Sequence, residues 1–135
     1  MGQPAARQGD TVTGVDVHVV LVPSPPSPTP TPTPLPHPFA GTIASATVAS
    51  VLIGGAPAAT VGSVAANQPA HVPMAPGTAF QRPPANQGTV SAGSATVTIG
   101  GQPAARLGDP VKTCNDPSDA DTSAIAGGES TVLIG

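Results

Sequence analysis

The sequence predicts an all-β fold without significant helix: one domain, residues 1–135, of three repeats about a pseudo-threefold axis, closed by the C-terminal strand. Three observations point there. The first is composition. The 16 Gly and 19 Pro make up about a quarter of the chain, on the edge of the range where disorder is the default. Charged residues are only 8%, however, and the 39% apolar fraction is largely Ala, Val and Ile. That suits a tight β structure punctuated by turns, not a solvated chain. The second is a segment met three times: "MGQPAARQGD" (1–10), "IGGAPAATVGS" (53–63) and "IGGQPAARLGD" (99–109). The third is "STVLIG" (130–135), a repeat strand that stops where the next "GQPAAR" would begin, in a chain that opens on a "GQPAAR" without its strand.

Each repeat reads as strand, tight turn, short return strand. "ATVASVLIG" (46–54) and "ATVTIG" (95–100) carry the β-branched residues of a strand, Gly-Gly turns the chain, and Pro sets the return. The first unit is complete only if residues 130–135 pair beside residues 2–10, which closes the ring and covers sheet edges. Between the first and second copies lies "PSPPSPTPTPTPLPHPF" (23–39). Because Pro fixes φ, the expectation is an extended, stiff loop folded over the body. Arg7 with Asp10 and Arg106 with Asp109 become Thr60 and Ser63 in the second copy. Losing both charges together suggests that Arg and Asp satisfy each other.

The core is thin, since only Phe39 and Phe80 supply bulk, and Cys114 is the sole cysteine, so no disulfide can form within the chain. Small domains of this kind are often held by a metal or by oligomerisation. The residues for a metal are present. His18, His37, His71 and Cys114 match a tetrahedral zinc shell in type and number. His18 stands nine residues after Gly9, His71 nine after Gly62, and Cys114 six after Gly108, so each unit sends one candidate into the connection beyond its turn. The fourth, His37, lies in the longest connection, with Pro on both sides. Asp16 is a candidate outer partner. Zinc is expected over iron from this donor set.

Other functions find less support. A net charge of −3, no basic patch and no Trp or Tyr argue against nucleic acid. No apolar run is long enough to span a membrane, and no secretory leader is seen, so synthesis in the cytoplasm is expected. A zinc-dependent or cysteine hydrolase using Cys114 and a histidine is the competing reading. A four-residue shell leaves zinc no open position, Glu129 is the only glutamate, and no hydrolase motif is present, so the chain is not expected to be an enzyme.

"GQPAAR" twice, "GAPAAT" once and the terminal "TVLIG" resemble the PAAR-repeat proteins, over essentially the whole chain. "DVHVVLVPSP…PTPLPHPFAGTI" looks like the single-domain PAAR-like tips of contractile injection systems, including type VI secretion and extracellular phage-tail-like particles. The second copy departs from the pattern by lacking Arg and Asp, and the Thr-Pro run is long. The resemblance implies a small cone with a zinc near its vertex, held by His18, His37, His71 and Cys114. It implies a chain monomeric on its own that caps a trimeric β-helical spike of the VgrG or phage spike-hub type, one copy per trimer, and sharpens it for puncture of the target envelope. Some relatives carry effector cargo as extensions, and this chain looks like a bare tip. Delivery outward on contraction, without stable membrane insertion, is the implied route.

Overall fold

The computed structural model describes residues 2–135; Met1, the first residue of the first repeat segment, lies outside them. Among the described residues there is no helix. The strands are β1 (Gln3–Ala5), β2 (Thr11–Val22), β3 (Thr31–Ser45), β4 (Val48–Ile53), β5 (Ala56–Ala58), β6 (Val64–Asn67), β7 (Ala79–Phe80), β8 (Gln87–Val90), β9 (Thr98–Ile99), β10 (Gln102–Pro103), β11 (Pro110–Thr113), β12 (Ala120–Ile125) and β13 (Glu129–Ile134).

Three small hairpins form one end. β4 turns into β5 through Gly54 and Gly55 (φ 55° and 85°), and β9 into β10 through Gly100 and Gly101 (φ 59° and 82°). Two consecutive left-handed residues make the tight turn whose twist matches the flanking strands, and only glycine adopts it freely. The third hairpin has no turn, because its two strands are the chain's ends: Gln3 faces Ile134 as Ala56 faces Ile53 and Gln102 faces Ile99. The ring is closed by the C-terminal strand.

The units interlock through backbone bonds that repeat around the axis. The Ala59 amide donates to the Ala6 carbonyl, Ala105 to Ala59 and Ala6 to Ala105, each at 3.0 Å. A second set runs from Gln8 to Pro57, Val61 to Pro103 and Leu107 to Pro4. The alanines of each repeat are fully buried where the three units meet, which accounts for Pro-Ala-Ala: larger side chains would collide with their own counterparts.

Beyond the ring, β2, β3, β6, β8, β11 and β12 form a closed six-stranded barrel, β12 pairing back onto β2, with β7 added along β2. Val12, Ala65 and Val111 lie at the starts of β2, β6 and β11, and Ile43, Val90 and Ile125 at the ends of β3, β8 and β12; all six are buried with Phe39 in one core cluster. Ala5, Ala58 and Ala104 join Ile53 and Ile134 in a second cluster under the hairpins.

The Thr-Pro stretch departs from the expected loop. The connection proper is short, and residues 31–42 are strand, paired with β2 from Val22↔Thr31 to Thr11↔Thr42. Pro32, Pro34, Pro36 and Pro38 occupy alternate positions. Their partners, including Val17 and Val19, send their own amides to the far side of β2, to Asn115 and Asp116. The prolines therefore sit where no N–H is needed for this pairing, and they leave the outer edge of β3 without donors. A free edge lined with proline cannot recruit another strand.

The Arg–Asp expectation is refined. Arg106 does pair with Asp109 (Nη2–Oδ1 2.9 Å), and Arg7 reaches both Asp10 (3.6 Å) and Glu129 (2.8 Å). What all three repeats keep is a side-chain oxygen that accepts the backbone N–H three residues earlier: Asp10 from Arg7, Asp109 from Arg106 and Ser63 from Thr60, at 2.7–2.9 Å. Ser63 preserves that bond without charge.

Candidate metal centre

β2 carries the chain away from the ring with alternate residues facing inward, so Asp16 and His18 share one face with Val12 and Val20. At about 3.3 Å per residue, the two polar groups lie roughly 15–25 Å along the strand from Thr11. β3 brings His37 opposite Asp16. The connection between β6 and β7 supplies His71, anchored by its amide to Asn86 Oδ1 (2.7 Å). Cys114 follows directly on β11. The three connections thus meet above the apolar core.

Donor atoms of Asp16, His18, His71 and Cys114 all lie within 4.8 Å of one another. Cys114 Sγ is 3.7 Å from His18 Nε2 and 3.4 Å from Asp16 Oδ2, and His71 Nε2 is 2.9 Å from Asp16 Oδ2. Ligands of a tetrahedral zinc stand about 3.3–3.8 Å apart, so the spacing suits one small cation. His37 is 1% exposed and its ring is close to those of His18 and His71 (centroids 5.4 and 5.7 Å). Its nitrogens are engaged by backbone, however: Nδ1 donates to the Leu35 carbonyl (2.9 Å) and Nε2 accepts from the Met74 amide (3.0 Å). Phe80 lies against the rings of His18 and His37.

Two features show that the donor set fits a cation. Asp16 is fully buried, and no Lys or Arg pairs with it among the described residues. Its Oδ1 accepts from Thr113 and Thr122, and its Oδ2 faces histidine and cysteine. A buried carboxylate needs a compensating charge, and a divalent ion among these groups would supply it. The second feature is protonation. Burial, reinforced by His71, holds the His18 imidazole below its usual pKa, in the neutral form that ligates metals. Burial and then Asp16 push the Cys114 thiol up. That works against a free nucleophilic thiolate, and a bound cation would reverse it.

Asp16 belongs to this cluster more closely than its expected role as an outer partner. The signal was in the sequence: in "DVH", residues two apart on a strand point the same way.

No helix among the described residues is long and apolar enough to cross a membrane. Comparison with known proteins places the family described as PAAR motif on residues 81–135. The matched segment runs from just before β8 through β13, holding the third repeat, Cys114 and the closing strand. No curated protein matches the chain.

Proposed function

We propose that this chain, a PAAR-repeat protein by its C-terminal match and by the two further copies that join the same ring, is the structural tip of the central spike of a contractile injection apparatus. The observation that carries the reading is the hairpin end. Ile53, Ile99 and Ile134 recur in register, and beside them Leu52 and Leu133 are 61% and 62% exposed. Thr98 holds the third equivalent place. A threefold-repeated surface with outward leucines suits the blunt end of a trimeric β-helical spike of the VgrG or phage spike-hub type, with similar edges offered to all three chains. One copy then caps each trimer, and the opposite, metal-bearing end leads in puncture.

Zinc is the cation we propose, held by His18, His71 and Cys114. The resemblance makes His37 the fourth ligand. Its Nδ1–H on a backbone carbonyl puts the lone pair a metal needs on Nε2, which would have to exchange the Met74 amide for the ion. The geometry favours Asp16, already among the donors and charge-balancing with a Cys114 thiolate. Bound there, the ion would tie three connections together and stabilise a thin core.

The test is assembly. The chain is mixed with a purified trimeric β-helical spike and weighed by native mass spectrometry. One copy per trimer is expected, reduced by Leu52→Asp together with Leu133→Asp; three copies, or none, overturn the proposal. Zinc content of His37→Ala and Asp16→Asn then decides the fourth ligand.

A further inference from the structure

We propose that Asp116 is a positioning residue that sets the tautomer and orientation of His18 for the cation, with Arg82 as its anchor; this rests on the reading that the cluster binds a metal. The two nitrogens of His18 face different groups. Nε2 looks into the cluster, toward Cys114 and Asp16. Nδ1 is the one buried side-chain nitrogen or oxygen without a hydrogen-bond partner among the described residues. It lies 3.6 Å from Asp116 Oδ2, short of a hydrogen bond by well under an ångström.

Asp116 is the fixed member of this pair. Its Oδ2 accepts from the Val19 amide (2.8 Å), and its own amide donates to the Val17 carbonyl (2.8 Å), so it is tied to β2 on both sides of His18. Arg82 donates to Oδ1 through Nε and Nη2 (3.0 and 2.6 Å) and to the Asn115 carbonyl (2.9 Å). These bonds serve the carboxylate from outside and leave its Oδ2 facing the imidazole.

The chemical consequence follows from the one N–H of a neutral imidazole. On Nδ1, it points at a carboxylate, and Nε2 presents its lone pair to the cluster. On Nε2, a lone pair faces the carboxylate and an N–H blocks the ligand position. Asp116 selects the first form. A carboxylate behind a metal-binding histidine also raises its basicity as a ligand. A cavity of about 260 Å³ is lined by His18, Arg82, Cys114 and Asp116 among others, beside the cluster.

The experiment compares the full chain with Asp116→Ala and Arg82→Ala. Zinc affinity is read by chelator competition, and the His18 tautomer by long-range proton–nitrogen NMR of the metal-free chain. Asp116→Ala is expected to weaken zinc binding about 10- to 100-fold and to move the proton from Nδ1 to Nε2. Arg82→Ala should weaken it less, since Val19 still holds Oδ2. Unchanged affinity and tautomer with a lowered melting temperature would show that Asp116 only fastens its loop, and would overturn the proposal. A parent chain that binds no zinc would sink the metal reading instead, with the tautomer still testing the positioning. Should Asp116→Ala fail to fold, Asp116→Asn is read in the same two assays.

Discussion

Ala6, Ala59 and Ala105 offer an internal control that few proteins provide. Each is fully buried, and each donates its amide to the carbonyl of the next at 3.0 Å. Ala→Val at any one of them adds two methyl groups where three backbones meet, beneath Val12, Ile43, Val90, Val111 and Ile125. Overpacking of a filled core costs about 1–3 kcal/mol, because neighbours must leave their preferred rotamers. For a chain of this length that is a fall in melting temperature of very roughly 3–15 °C. The three variants should be destabilised to a similar degree, and any two combined should cost more than their sum, since both enlarge the same space. Thermal and urea unfolding of metal-loaded protein measure this. Three neutral variants, or one strongly destabilised and two unaffected, would refute the view that the ring is one close-packed, threefold unit.

Two further outcomes follow from particular bonds. Ser63 accepts from the Thr60 amide and donates to the Ala46 carbonyl, both at 2.9 Å, in a fully buried position. Ser63→Ala should therefore cost about 1–3 kcal/mol in urea unfolding, and a neutral result would remove the equivalence drawn with Asp10 and Asp109. Pro34→Thr with Pro36→Thr restores two donors to the outer edge of β3. Light scattering should show faster self-association with no loss of melting temperature, and unchanged scattering would mean that the prolines do not protect this edge.

How much of this was legible in the sequence depends on how each feature is written there. The ring could be read because a strained turn and a crowded axis admit few residues, so Gly-Gly and Pro-Ala-Ala recur visibly, and "STVLIG" announces its missing partner. β3 was hidden by its own composition. Proline content signals a loop, yet "TPTPLPHP" places every proline on the same parity, which a strand with one free edge accepts. The candidate metal centre was legible as residue types and not as geometry. The sequence offers His18, His37, His71 and Cys114 as a set, but the approach of Asp16 to His71 and the bond of His37 Nε2 to the Met74 amide are tertiary matters that no local pattern encodes.

The places where the repeats agree and disagree carry their own argument. Where the hairpins end the molecule, the three copies keep isoleucine at one position and two leucines and a threonine at the next. At the ring they keep two buried alanines each. The largest departure from symmetry lies above the barrel core, where strict symmetry would be a chemical obstacle to a metal. A threefold site offers donors in multiples of three, while a tetrahedral cation takes four. In the proposed site that mismatch is met by one unit contributing more than the others. β2 carries both Asp16 and His18, and its hairpin partner adds His37 nearby, whereas the second connection gives His71 and the third Cys114. The long β2–β3 hairpin is thus no ornament on a symmetric body. In the proposed tip it is the departure from threefold repetition that a four-coordinate ion would require, and it leaves the opposite end regular enough for the proposed threefold partner.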